Sequence, residues 1–137
     1  MANSPSEARQ IEDLLTLYNI AIDSGDIDGF LATFAPDGIF DGVHGRYEGT
    51  SELRRFITAY WTDPEFARLR GTQHWITNVK VTVSGDTATS YCYGTVISAG
   101  TNGNQIMGTW HYKDKLVKLS SEWRFSLRYV RPFAIPS

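Results

Sequence analysis

The chain reads as an α+β domain in which helices gathered in the N-terminal half cover one face of a curved, mainly antiparallel sheet. Three observations predict this. Apolar residues recur every three or four positions up to about Tyr60, and from Thr72 onward the pattern changes to strand-like runs rich in Val, Ile, Thr, Tyr, Phe and Trp. The turns between those runs are short enough for antiparallel hairpins. With 137 residues, 42% of them hydrophobic and 20% charged, the chain suits one continuous core and is too short for two ordinary domains, so residues 1–137 are expected to form a single domain.

The elements follow in order. Ser4-Pro5-Ser6-Glu7 reads as a helix start, with Ser4 as cap, Pro5 at the first helical position and Glu7 returning a bond to the cap. Ile11, Leu14, Leu15, Tyr18, Ala21 and Ile22 then form one stripe, and the helix runs to about Asp23 before Ser24-Gly25 ends it. Asp26 caps a second helix carried through Phe30, Leu31 and Phe34 to Pro36. Two short strands are predicted at Ile39-Phe40-Asp41 and around Arg46-Tyr47-Glu48, and a third helix begins at Gly49-Thr50-Ser51-Glu52 and buries Leu53, Phe56, Ile57 and Tyr60. Four long strands close the chain: 72–84, 86–99, 104–118 and 122–132, joined at Ser84-Gly85-Asp86, at 100–103 and at Leu119-Ser120-Ser121.

The balance of 13 Lys+Arg against 15 Asp+Glu argues against nucleic acid as a partner. No stretch approaches the ~18 apolar residues of a membrane span, and the polar start lacks an apolar leader, so no membrane is expected and the cytoplasm is the expected location. The single cysteine, Cys92, lies in the apolar run Tyr91-Cys92-Tyr93 and reads as a buried, inert thiol. No G-x-S-x-G, P-loop or dinucleotide fingerprint occurs. His111 lacks the spaced partners of a zinc ligand, and His44, in the turn Gly42-Val43-His44-Gly45, is expected to face solvent. Neither a metal nor a cofactor is implied.

Long strands expose whichever face the helices leave open, and Trp75, Tyr91, Tyr93, Tyr112 and Tyr129 are candidates for that face by alternation. So aromatic a surface suits a homodimer through the sheet.

Several segments together resemble the SnoaL-like branch of the NTF2-like superfamily: Ile11-Glu12-Asp13-Leu14-Leu15 with Tyr18 and Asp23, Asp37-Gly38, Tyr47-Glu48-Gly49, His74-Trp75-Ile76-Thr77-Asn78, Gly108-Thr109-Trp110, and Trp123-Arg124-Phe125 with Arg128. The resemblance implies a cone, three helices packed on a strongly curved sheet around a pocket. In the dehydratase and dehydrochlorinase relatives an Asp ending the first helix and a His opening the third strand form a catalytic dyad, and Asp23 and His74 stand at those positions. Tyr18 matches a tyrosine that contributes in the bile-acid dehydratases. Arg128 matches an arginine of the dehydrochlorinase pocket. No counterpart is found for the acid on the fourth strand of the bile-acid enzymes or for the second histidine of scytalone dehydratase; Tyr93, Thr95 and Ile97 occupy that neighbourhood.

Imidazole, whose ordinary pKa is near ~6.5, removes a proton at neutral pH, and a carboxylate on its other nitrogen fixes the tautomer. Tyr18 and Asp23 lie ~140° apart on the helix, near enough to border one cavity if the last turn frays. The expected lining also includes Leu14, Phe34, Phe40, Phe56, Ile106 and Trp110, with Tyr93 and Arg128 as substrate contacts. Such a wall suits a hydrophobic, oxygenated small molecule undergoing elimination, isomerisation or ring closure. Two other readings are open: a non-catalytic binding or scaffold protein, and an epoxide hydrolase-like enzyme, which needs a second acid that only Asp41 offers.

Overall fold

A computed structural model describes residues 5–101 and 103–133 of the chain. Helix α1 spans Glu7–Ser24 and is capped by Ser6, whose hydroxyl accepts from the Arg9 N–H at 3.2 Å. The helix thus begins two residues later than the Ser-Pro pattern predicts; Ser4 lies outside the described residues, and Pro5 precedes the cap. Gly25 stops α1 in the left-handed conformation, φ 74°, which glycine adopts without penalty.

Helix α2 is only Ile27–Ala32, started by Asp26, whose Oδ1 accepts from the Gly29 N–H at 2.9 Å. The predicted extension to Pro36 is overridden by sheet pairing. The Phe125 N–H reaches the Thr33 carbonyl at 2.8 Å, and Phe34 enters strand β1 (Phe34–Gly42) beside Phe125. Strand β2 (Gly45–Glu48), helix α3 (Gly49–Thr62) and a 3-10 helix at Pro64–Leu69 follow. The four long strands are β3 (Thr72–Ser84), β4 (Thr87–Gly100), β5 (Gly103–Leu119) and β6 (Glu122–Pro132). Their sheet order is β2-β1-β6-β5-β4-β3, antiparallel throughout except for the β1–β6 pair, so the fold is α+β.

The core lies between the helices and the inner sheet face. Ile11, Leu15, Phe30, Leu53, Ile57 and Phe125 are fully or almost fully buried, each contributing about 1.5–3 kcal/mol on removal from water. Alternation decides which residues point there. In β4 the even-numbered residues Ala88, Ser90, Cys92, Gly94 and Val96 face the helices, and Tyr91 and Tyr93 face away. Tyr112 pairs with Cys92 and therefore also points inward, contrary to the expectation that it joins the outer face.

Three bulges in the long strands reset this parity. One in β3 falls between Thr77 and Lys80, where Asn78 adopts φ 57°. One in β5 leaves Met107 without a partner between Ile106 and Gly108. One in β6 leaves Ser126 unpaired, so that both Phe125 and Arg128, three residues apart, face the core. No helix among the described residues is long and apolar enough to cross a membrane.

Candidate active site

Strand β3 is the last strand of the sheet, so one row of its backbone N–H groups lacks a neighbouring strand. Helix α1 packs along it, and Asp23, one residue before the end of that helix, supplies the missing acceptor. Its Oδ2 accepts from the His74 backbone N–H at 3.0 Å, and its Oδ1 lies 2.6 Å from His74 Nδ1. One carboxylate therefore fixes both the strand position and the ring. A carboxylate only accepts, so in the neutral ring Nδ1 carries the proton and Nε2 the lone pair. The His74 side chain is 12% exposed and the Asp23 side chain 22%.

His74 borders a cavity of about 300 Å³ whose wall is mostly apolar. Burial sorts the wall by depth. Tyr18, Phe56, Val96 and Tyr112 are nearly inaccessible and form the floor, whereas Val43, His44 and Arg68 are exposed and mark the mouth. Phe40 and Trp110 line the cavity as expected from sequence, and Tyr18 does too. Asp23 stands behind His74 and does not face the cavity directly. Gly94 shapes the floor from below: a Cβ there would sit 2.3 Å from the Tyr112 ring.

The phenols of this chamber stay protonated. Burial pushes Tyr18 well above the ordinary tyrosine value and Tyr112 to about 12, in both cases against the pull of the Arg128 cation. Tyr60 is raised to about 12 by burial and then by the Asp23 charge, and its hydroxyl donates to the Leu69 carbonyl at 3.3 Å. Such phenols donate hydrogen bonds and do not serve as bases.

Arg128 is not a pocket contact. The Ser126 bulge turns its side chain fully into the core, beneath Tyr18 and Tyr112. The guanidinium carbon lies 4.2 Å from both tyrosine ring centroids and 4.7 Å from that of Phe125. Its nearest carboxylate, Asp114, is 3.8 Å away and receives the Ser90 hydroxyl at 2.9 Å. The Arg128 nitrogens have no hydrogen-bond partner among the described residues, so ring faces and one ion pair hold the charge. Burial pushes the Asp114 carboxyl up, and Arg128 and Ser90 only partly offset that.

Other sequence expectations are corrected. Ile106 is 68% exposed, because the bulge beside it hands its inward position to Met107. Tyr93 lies on the outer face, 5.4 Å from the Phe133 ring, for want of a bulge to invert β4. Leu14 and Phe34 pack in the core and leave the wall to others. Asp41 faces away from the cavity and binds Arg131, Oδ1 to Nη2 at 2.8 Å, which deprives an epoxide hydrolase-like site of its second acid. His44 is exposed as expected, yet its ring packs edge-on against Phe66 at 5.0 Å and borders the mouth. Cys92 is buried and its thiol is raised to about 11 by desolvation, as an inert thiol should be. Sequence reading missed Met107, Tyr60 and Arg68; a bulge and a 3-10 turn place two of them, and neither leaves a periodic signal. No group of residues able to hold a metal occurs among the described residues.

A curved α+β sheet with a helix-covered chamber is the architecture of an NTF2-like domain. The SnoaL-like domain family matches residues 5–129, and the chain belongs to it. The uncharacterized protein Rv2910c of Mycobacterium tuberculosis is 29% identical over 131 residues, covering 90% of this chain and 83% of that protein. Among solved structures, an Asp-to-Asn variant of Rv3472, a function unknown protein from Mycobacterium tuberculosis, aligns at 29% identity with a TM-score of 0.81, over 94% of this chain and 73% of that one. An NTF2-like protein with a cystatin-like fold from Novosphingobium aromaticivorans aligns with a TM-score of 0.80 over 91% of this chain and 80% of that one; at 22% identity this likeness concerns the fold alone.

Proposed function

We propose that the chain is a cofactor-independent enzyme in which His74 is a general base oriented by Asp23. The observation that carries this reading is the 2.6 Å contact between His74 Nδ1 and Asp23 Oδ1 at the wall of an apolar cavity of about 300 Å³. With Nδ1–H donated to the carboxylate, Nε2 takes a proton from a carbon next to a carbonyl, and Asp23 stabilises the imidazolium formed. The C–H electron pair then forms a double bond. If a hydroxyl departs from the neighbouring carbon, it leaves as water with the proton returned by the imidazolium, which is elimination. If the proton is returned to another carbon, the product is an isomer; if the carbanion attacks a second carbonyl, a ring closes. Tyr18 keeps its proton and donates a hydrogen bond to the developing enolate oxygen. The substrate class that suits this wall is a hydrophobic oxygenated small molecule.

The test is solvent deuterium exchange. A panel of aromatic and polycyclic ketones is incubated with the protein in heavy water, and exchange at the carbon next to the carbonyl is followed by proton NMR. Wild-type protein is expected to accelerate exchange on at least one member, and His74→Ala to lower that rate at least ~10²-fold. Undiminished exchange in His74→Ala would remove the base from the mechanism.

The same reading seats a second copy of the chain on the outer sheet face. There Trp75 is 53% exposed, and Tyr91, Tyr93, His111 and Phe133 form one cluster. Light scattering at micromolar concentration is expected to give twice the chain mass, and Trp75→Glu with Tyr93→Glu to halve it.

A further inference from the structure

Among the described residues, the cavity wall holds no carboxylate. Its sixteen residues include no Asp and no Glu, yet Arg68 and His44 both border the mouth. Asp23, the acid beside His74, is turned onto the His74 ring and backbone. Arg70, two residues after Arg68, is held by the backbone oxygens of Tyr60 and Asp63. Arg68 itself makes no ion pair and no hydrogen bond among the described residues; of the acids beside it in the chain, Asp63 Oδ1 accepts from the Glu65 N–H at 2.9 Å and the Glu65 side chain is exposed. A cation at the exposed rim of an otherwise apolar cavity is free to meet a charge brought by a ligand.

We propose that Arg68, assisted by His44, reads an anionic group on the substrate, so that the substrate is an apolar carboxylic acid entering skeleton first, with its carboxylate left at the mouth. This rests on the reading of the cavity as the substrate chamber and adds the polarity of what fills it. The charge and the reactive carbon then lie at opposite ends of the ligand: the carboxylate pairs with guanidinium at the rim, and the skeleton reaches His74. The pairing fixes which end enters, and thereby which carbon faces Nε2.

The experiment is a binding measurement that needs no turnover. 2-Naphthaleneacetate and 2-(2-naphthyl)ethanol share a carbon skeleton and differ in charge; both are titrated calorimetrically at low ionic strength into wild type, Arg68→Gln, His44→Gln and His74→Ala. Wild type is expected to bind the acid about two- to fivefold more tightly than the alcohol, the size of an exposed ion pair. Arg68→Gln is expected to abolish that preference while leaving the alcohol unchanged, His44→Gln to reduce it, and His74→Ala to leave it intact. Rising salt narrows the gap in wild type and His74→Ala and leaves Arg68→Gln unmoved. Equal affinity of the two probes for wild type overturns the proposal, as does a preference that survives Arg68→Gln, one that vanishes in His74→Ala, or no measurable binding of the acid at millimolar concentration. Failure of the base mechanism shows instead in deuterium exchange, with this preference untouched.

Discussion

Replacing Asp23 by Asn tests the orientation of His74 with almost no change of shape. The wild-type carboxylate offers two acceptors, one to the His74 backbone N–H at 3.0 Å and one to Nδ1 at 2.6 Å. An amide offers one acceptor oxygen and an NH2 that only donates. The backbone N–H cannot change its role, whereas imidazole can move its proton. The amide oxygen therefore stays with the N–H, the NH2 donates to Nδ1, and the ring proton shifts to Nε2, which leaves no lone pair facing the cavity. Loss of the base is worth about 10²–10⁴-fold in rate, or roughly 2.7–5.4 kcal/mol of transition-state stabilisation. The fold loses less: a charge-assisted bond becomes a neutral one, a cost of about 1 kcal/mol, or roughly 3–5 °C in Tm. The assay is a long-range proton–nitrogen NMR correlation of the histidine side chains above the ordinary histidine titration range. With three histidines in the chain, His44→Gln and His111→Gln assign the spectrum. Wild type is expected to show the His74 proton on Nδ1, and Asp23→Asn to show it on Nε2. The same tautomer in both proteins would refute the reasoning.

Arg128→Met leaves Asp114 buried without its cation, and chemical denaturation is expected to show a loss of about 3–5 kcal/mol at neutral pH. Burial already raises the Asp114 pKa in the folded state, so folding makes Asp114 easier to protonate than it is in the unfolded chain. The penalty is therefore largest where Asp114 is ionised and shrinks as pH falls toward the ordinary carboxylate range; a pH-independent penalty would contradict this. Gly94→Ala drives a Cβ into the Tyr112 ring, with an expected cost of about 1–3 kcal/mol and weaker binding of bicyclic ligands in the same titrations. At the β5–β6 turn Ser120 and Ser121 both hold positive φ, 49° and 69°, in a two-residue loop that favours Asn-Gly. Ser120→Asn with Ser121→Gly is expected to raise the unfolding free energy by about 1 kcal/mol without touching the cavity.

What the sequence determined by itself was the layout. Periodicity located α1 and α3, and the boundaries of β3 and β6 came out as predicted, because the amphipathic period and turn chemistry are local properties. The pairing of Asp23 with His74 was legible only through family resemblance, since two residues 51 apart share no local signal. Only the tertiary structure decided which long-strand residues meet the chamber. One unpaired residue in β5 puts Met107 inside and Ile106 out, and one in β6 sends Arg128 beneath the tyrosines instead of into the cavity. α2 likewise yields Phe34 to the sheet because Phe125 binds the adjacent Thr33 carbonyl. A bulge depends on how two distant strands share hydrogen bonds, and a side-chain period of two turns that single extra residue into a reversal of face.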